Sequence, residues 1–447
     1  MSTTDKTGLR ICVVTNYYPP HFIGGYELGC RDIVEALKRR GHQVRVLTST
    51  YKVDQPQSDG KVYRWLQLSE WWTPNLLRDL AAVLRKEVTN QQAFRQLCRE
   101  FEPDLVYMWN PVGISLSIVS VAQKLGLPVC YFVSDHWLEE WDKDPGYRTW
   151  EKQRPGIRRP FLWKGVLRLL NVLNLSHPPV PPNLHHVQFV SESLKRDALQ
   201  KGQDVAKAQV IHWGVDIERF RMTKKLEQSK RLLFVGQVTP HKGVHTAVEA
   251  LNLLVQSGHE TATLTIVGDS ALKDFQAQLR QKVASYQLEK HVHFTGLVQR
   301  EDTPRIYQEH DVLIFPSVWD EPFSITVLEA MASGLAVVGT ATGGSGEILE
   351  DGVNALVFEK ENAQQCADCI SRLFSDREFF EQVRRRGRCT IEQKHQLEQM
   401  VDTIESSLQE VVSDATALSR GGSRSPLLKD ENSFEDATGL PRGDSRS

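Results

Sequence analysis

The sequence predicts two consecutive α/β domains, each a doubly wound parallel sheet. Three observations carry that prediction. The chain has 447 residues, too many for one hydrophobic core and suited to two domains of roughly 200 residues each. Short apolar runs bounded by turn residues alternate with helix-period stretches, the pattern of βαβ units with right-handed crossovers. The alternation stops in a stretch near Asp216–Ser229 and restarts at Arg231, so a second domain begins there.

Taken in order, residues Met1 to Gly8 are polar and are expected to be loose. Arg10–Thr15 is read as the first strand, followed by a loop through Pro19-Pro20 and Gly24-Gly25. A helix over Tyr26–Arg40 has Gly41 as its stop, and a strand over Gln43–Thr48 closes the first βαβ unit. Further strands are expected at Leu105–Trp109, Val129–Val133 and Val187–Val190. The second series reads as strand Leu232–Val235, helix Val244–Gln256, and strands Thr263–Val267, His291–Phe294 and Val312–Phe315. Helix Ser324–Ser333 and strand Leu335–Val338 complete it. The expected domains are 9–215 and 230–395, then a helix over 396–412 packing back on the first domain. In 413–447, Ser, Gly, Arg and acidic residues replace large apolar ones, so a disordered tail is expected.

Composition narrows the function. Apolar residues make up 40% and charged residues 25%, the proportions of an ordinary soluble globular protein. A net charge of −2 argues against a globally basic nucleic-acid binder, so no nucleic-acid partner is expected. The seven cysteines are scattered, which fits free thiols in a reducing compartment. Cys366-x2-Cys369 has no second pair and lies in a helix-like stretch; it reads as a pair of core cysteines, and no metal site is expected. No secretory signal precedes Arg10, and no run approaches the ~20 apolar residues of a membrane span. The expected location is cytoplasmic, soluble or peripheral at the inner membrane face.

The most informative stretch is Trp319-Asp-Glu-Pro-Phe-Ser-Ile-Thr-Val-Leu-Glu-Ala-Met-Ala-Ser-Gly334. Glu321 falls in the loop after an apolar strand, and Glu329 falls one to two turns inside the following helix. Backbone N–H groups around Phe323, Ser324 and Ile325 would form an anion site beside both acids. An anion cradle with two carboxylates suits a ligand carrying phosphates at one end and hydroxyls at the other, as a nucleotide-sugar does. On these residues alone a plainer reading is equally good: Glu321 as a helix-dipole partner and Glu329 as a solvated helix residue.

Other strand ends carry related features. The loop Asn16-Tyr-Tyr-Pro-Pro-His-Phe-Ile-Gly-Gly25-Tyr-Glu27 places Gly24 and Gly25 before a helix, where backbone can approach a phosphate or simply turn. It is not G-x-G-x-x-G, so the dinucleotide fingerprint is absent. After Leu232–Val235 comes Gly236-Gln237-Val-Thr-Pro-His-Lys242-Gly243, with Lys242 placed to neutralise a phosphate or to sit exposed at a helix start. After Val129–Val133 comes Ser134-Asp135-His136-Trp137, at the strand end where an open α/β sheet binds its ligand; His is a natural proton-transfer group there.

These motifs, in this order, resemble glycosyltransferase family 4, retaining enzymes of the two-domain GT-B fold. The resemblance rests on E-x7-E with A-M-A-x-G (Glu321, Glu329, Ala330–Gly334) and on Y-x-P-x-x-x-G-G-x-E ending at Glu27. It includes Gly41-His42-Gln43-Val44, the Thr342-Gly343-Gly344-Ser-Gly-Glu347 run, Trp213-Gly214-Val215-Asp216 with Phe220, and Val190-Ser191-Glu192. It covers about residues 10–400 and is weakest over Thr50–Phe101 and Trp137–His186. The resemblance implies a hexosyl transfer from a nucleotide-sugar to a glycan, lipid-linked or small-molecule acceptor, without cofactor or metal. Glu329 would hold the ribose, Glu321 the transferred sugar, and Gly24, Gly25, Lys242 and the helix start at Ser324 the diphosphate. Two departures stand out. Gln237 occupies the position of the family's diphosphate-binding Arg, and Ser134-Asp135-His136 replaces H-D-x-W, so the sugar contact passes to His136 or to a Ser134–Asp135 pair.

Between Trp137 and His186 an acidic stretch gives way to a basic, aromatic one. It runs through Arg148, Trp150, Lys152, Arg154, Arg158, Arg159, Phe161, Trp163, Lys164 and Arg168. With an apolar stripe at Leu162, Val166, Leu169 and Leu173, this segment (148–170) fits a peripheral membrane contact; it also fits a solvated face over a core helix. The rival functions are a sugar-nucleotide epimerase or a phosphorylase of the same fold, and a non-catalytic nucleotide-sugar binding protein.

Overall fold

The computed structural model describes residues 8–69, 76–143, 161–178, 180–223 and 230–420. The chain divides into two compact units. The first comprises 1–189, 195–210 and 401–447, and the second comprises 190–194 and 211–400.

The first unit holds strands β1 (Arg10–Thr15), β2 (Gln43–Ser49), β3 (Gln57–Ser58), β4 (Val62–Leu66), β5 (Leu105–Asn110), β6 (Val129–Val133), β7 (Val187–Phe189) and β8 (Gln209–Val210). They form one sheet in the order β3-β4-β2-β1-β5-β6-β7-β8. All neighbours are parallel except β3 and β4. The strand order reverses between β1 and β5, so the crevice outside their carboxyl ends is where a doubly wound sheet takes a ligand.

The second unit holds β9 (Arg231–Val235), β10 (Thr263–Val267), β11 (Val292–Gly296), β12 (Val312–Phe315), β13 (Ala336–Gly339) and β14 (Leu356–Val357). This sheet is parallel throughout, in the order β11-β10-β9-β12-β13-β14. Its switch point lies between β9 and β12. Strands covered on both faces read as continuous apolar runs, and all four residues of β12 are buried. The core joins Leu232, Ile266, Ile314 and Val338 to Val248 and Leu251 of the Val244–Gln256 helix and Ile370 of the Ala363–Ser375 helix. Each such side chain contributes roughly 1.5–3 kcal/mol by leaving water. Cys366 is part of this core, and burial pushes its thiol well above the usual range.

The structure corrects several boundaries. The expected strands at Leu105, Val187 and His291 end one or two residues away from the observed ones. Residues 50–101, read without elements, contain β3, β4 and the long Leu76–Phe101 helix. The fourth strand hides because its Arg64 is buried and donates to the carbonyls of Tyr18 (3.1 Å) and Pro19 (2.6 Å), a tertiary pairing that no strand pattern reveals. The C-terminal helix spans Leu397–Arg420, past the expected tail start at 413. Val411 is buried, and Ser413 and Thr416 bond back to the carbonyls of Gln409 and Val412. From Val401 this helix belongs to the first unit, where Arg40 pairs with Asp402 (2.7 Å) and Glu405 (3.0 Å).

The expected membrane contact, 148–170, lies mostly outside the described residues. Its described end is the Phe161–Val172 helix. There Leu167 is buried, whereas Val166, Leu169, Val172 and, just beyond, Leu173 are 42%, 57%, 80% and 54% exposed. The described part of the stripe, Val166, Leu169 and Leu173, therefore faces outward. Among the described residues, no helix is long and apolar enough to cross a membrane.

Candidate functional site

The second unit concentrates its polar chemistry at the carboxyl ends of β9 and β12. Beyond β9 the chain passes Gly236 and Gln237 to a short turn of 3-10 helix, Pro240–Lys242. Gly243 ends that turn with φ +68°, and an added Cβ would lie 1.8 Å from the Pro316 carbonyl oxygen. Only glycine permits both the left-handed backbone and this approach. The contact brings Lys242 against the loop leaving β12.

There the Lys242 ammonium lies 2.7 and 2.9 Å from the two oxygens of Glu321, and Ser317 donates its hydroxyl to Glu321 at 2.6 Å. Glu321 is buried, and so is Glu329, which is therefore not a solvated helix residue. Trp319 lies beneath, with the Lys242 ammonium 5.7 Å from its ring centre. The Glu321 loop is held from behind by residues 342–344. The Gly344 N–H donates to the Glu321 carbonyl at 2.7 Å, and a Cβ on Gly344 would meet the Pro322 carbonyl at 1.9 Å.

The Ile325–Ala332 helix starts beside this pair. Ser324 is its N-cap, accepting from the Val327 N–H at 3.3 Å. The remaining first-turn N–H groups have no partner within the helix, as at any helix start. Phe323 and Ser324 are buried and Ile325 is partly exposed. Glu329, in the second turn, is 3% exposed. Arg300 makes a close ion pair with one of its oxygens, and the Tyr307 hydroxyl donates to the other at 3.0 Å. Burial and the Glu329 charge push the Tyr307 phenol well above its ordinary range, so it remains a donor. Each carboxylate oxygen keeps a second lone pair for a ligand hydroxyl.

The first unit builds its own network at the ends of β1, β5 and β6. Asn16, just past β1, donates to Asn110 Oδ1 (3.4 Å) and to the Val112 carbonyl (3.1 Å), and accepts a close hydrogen bond from the Tyr26 hydroxyl. Asn110, the last residue of β5, donates to Asp135 at 2.5 Å, and Asp135 also accepts from the Trp137 N–H at 3.1 Å. Burial pushes the Asp135 carboxyl up to about 6, although the Trp137 N–H, His136 and Asn110 pull the other way. Ser134 is buried next to it. His136 turns elsewhere: its Nδ1 lies 2.6 Å from Glu139 in the same turn.

The Gly24-Gly25 loop is organised by Glu27. Its carboxylate accepts from the N–H groups of Ile23 (3.1 Å) and Gly24 (3.0 Å), so Glu27 occupies two donors that an anion would use. Burial raises the Glu27 carboxyl. Gly24 has an extended backbone, φ −138°, which any residue adopts, and a Cβ there would sit 3.5 Å from Glu27. Chain conformation alone does not require glycine at that position.

Residues 23–219 match the model of Glycosyltransferase Family 4, and residues 216–390 match Glycosyl transferases group 1. Together the two matches run from 23 to 390. The chain belongs to the family-4 glycosyltransferases.

An uncharacterized glycosyltransferase of Methanocaldococcus jannaschii is 25% identical over 84% of this chain and 91% of its own length. The amylovoran biosynthesis glycosyltransferase AmsK of Erwinia amylovora is 30% identical over 41% of this chain. That match spans 46% of AmsK, about half its length. Among solved structures, Anabaena HepE in complex with UDP and glucose superimposes with a TM-score of 0.61 at 19% identity, covering 90% of this chain and 99% of that one. The fold is therefore GT-B, two Rossmann-like domains.

Within this glycosyltransferase, motif reading singled out Glu321, Glu329, Lys242, Asp135 and the loop at Ser324. It missed Arg300, Tyr307, Ser317, Asn16, Asn110 and Tyr26. A usable signal existed for the asparagines, since each directly follows or ends an apolar strand on the ligand side of the sheet. None existed for Arg300, which reaches Glu329 from the turn after β11. Gln237 is partly exposed directly after β9 and Gly236.

Proposed function

We propose that the chain transfers a hexosyl group from a nucleotide-sugar to an acceptor hydroxyl with retention of anomeric configuration and without a metal ion. The observation that carries this reading is the Lys242–Glu321–Ser317 cluster, set between the end of β9 and the start of the Ile325–Ala332 helix. A diphosphate seated at that helix start would meet the first-turn N–H groups and the Lys242 ammonium. The leaving diphosphate then gains its stabilisation from fixed protein charge, worth more in a water-poor site than in bulk. Glu321, already held by Lys242 and Ser317, would accept hydrogen bonds from the transferred sugar, and Glu329 from the ribose. On the first unit, Asp135 is the sugar contact, supported by Asn110; His136 is the alternative.

The bound UDP and glucose of HepE support a UDP-sugar donor, and the amylovoran biosynthesis for which AmsK is named supports a glycan acceptor. The outward apolar face at Val166, Leu169 and Val172, with Arg168 beside it, supports a lipid-linked acceptor at a cytoplasmic membrane face.

The test is a thermal-shift panel of UDP, GDP and ADP followed by the matching sugar nucleotides, where ligand at 100 times Kd stabilises by about 2.7 kcal/mol. The best donor is then incubated with acceptors in the presence of chelator, and the new glycosidic bond is read by NMR. An inverted anomer removes the retaining assignment, and dependence on added metal removes the metal-free one. Donor conversion without acceptor favours an epimerase, and binding without turnover favours a binding protein.

A further inference from the structure

At the opposite, amino-terminal edge of the first sheet, three metal-ligating side chains converge. His185 and His186 immediately precede β7, and Asp414 comes from the Leu397–Arg420 helix. Their ligand atoms lie within 4.8 Å of one another, with His186 Nε2 3.8 Å from Asp414 Oδ2. The backbone carrying the imidazoles is fixed. His185 donates its N–H to Asn183 Oδ1 at 3.2 Å, and the His186 carbonyl accepts from Tyr131 of β6 at 3.0 Å. Beside the three lies a cavity of about 330 Å³ lined by Gln123, Leu127, Asn183, Val411 and Ala415.

We infer that His185, His186 and Asp414 bind one divalent late transition ion of the Zn²⁺ class, which ties the C-terminal helix to the sheet edge. Two imidazoles and one carboxylate form a donor set suited to zinc, nickel or cobalt and poorly suited to magnesium or calcium. Tetrahedral coordination at 2.0–2.1 Å separates ligand atoms by about 3.3 Å, so closure needs movements of about 1 Å. The exposed His185 ring and the half-exposed Asp414 carboxylate have room to make them. The fourth position opens on the cavity, where a water molecule completes the shell. The site lies at the end of the sheet away from Asn110 and Asp135, so its role is attachment and not glycosyl transfer.

The experiment uses the full chain stripped with chelator and titrated with Co²⁺ while visible absorption is followed, then challenged with Zn²⁺. The expected result is one equivalent of Co²⁺ without thiolate charge-transfer absorption, displaced by Zn²⁺, and a higher Tm in Zn²⁺. His186→Ala and Asp414→Asn should each weaken that equivalent at least about tenfold. His136→Ala, which removes the head of the separate His136–Glu139–Asp197 group, should leave it intact. Circular dichroism verifies that the variants are folded. The inference is overturned if the wild type binds Co²⁺ no better than the His185→Ala/His186→Ala/Asp414→Asn variant. Thiolate absorption or a loss of the equivalent in His136→Ala would also overturn it.

Discussion

The Lys242 ammonium bridges both oxygens of Glu321, at 2.7 and 2.9 Å. The pair is half-shielded, with side-chain exposures of 25% and 8%, so each member loses a charged partner when the other is removed. Glu321→Ala is expected to lower kcat with little change in donor affinity, and Lys242→Ala to weaken nucleoside diphosphate binding by roughly 1.5–3 kcal/mol, the value of one charged hydrogen bond. Gln237→Arg should tighten the same diphosphate. Calorimetry on the three variants decides it; unchanged diphosphate affinity in both Lys242→Ala and Gln237→Arg places the phosphates elsewhere.

Glu329 behaves differently, because it is enclosed with Arg300 at 4% and 9% side-chain exposure. Glu329→Ala removes the carboxylate from a buried ion pair and should cost about 3–5 kcal/mol of stability in addition to weakening nucleotide binding. Arg300→Met/Glu329→Leu should recover much of the stability and none of the nucleotide affinity. Chemical denaturation and UDP titration of both proteins separate these effects. Equal affinity in wild type and double variant would remove Glu329 from the nucleotide site.

The Asp135 carboxyl stands at about 6 in the fold against roughly 3.9 in an unfolded chain. Its folded form therefore holds the proton more tightly. The stability it contributes is complete below about pH 4 and is lost as pH rises through 6. Asp135→Asn should flatten that decline, by at most about 3 kcal/mol. Melting curves from pH 4 to 7 test this; parallel pH profiles for wild type and variant would refute the raised carboxyl.

Vesicles carrying anionic lipid should retain the protein at low salt and release it at high salt, as the Debye length falls from ~10 Å at 0.1 M to ~3 Å at 1 M. Each basic residue close to the surface contributes about 1 kcal/mol. Reversal of Arg158, Arg159 and Lys164 to Glu, or Leu169→Glu on the outward face, should abolish co-sedimentation. Wild type remaining in the supernatant at low salt would end this reading.

Strands that are buried on both faces were legible in the sequence. Val129–Val133 and Val312–Phe315 match to the residue, because a continuous apolar run needs no knowledge of its neighbours. The edge strand β3 and its neighbour β4 were not legible, since β4 carries Arg64, whose guanidinium meets backbone carbonyls 45 and 46 residues away. The candidate site divides the same way. The spacing of Glu321 and Glu329 is local and was visible, whereas Arg300 and Tyr307 reach Glu329 from 29 and 22 residues upstream. At Gly24-Gly25 the residue pattern did not show that Glu27 takes two of the loop's donors.

The close packing at Gly243 and Gly344 limits how donor preference can diverge in this chain. Any side chain at either position would push on a carbonyl of the loop that presents Glu321, so that loop is held in one shape. Variation is left to side chains outside those two glycine contacts, such as Gln237 and Trp319. Libraries aimed at a new sugar or base should diversify those positions and leave the glycines untouched.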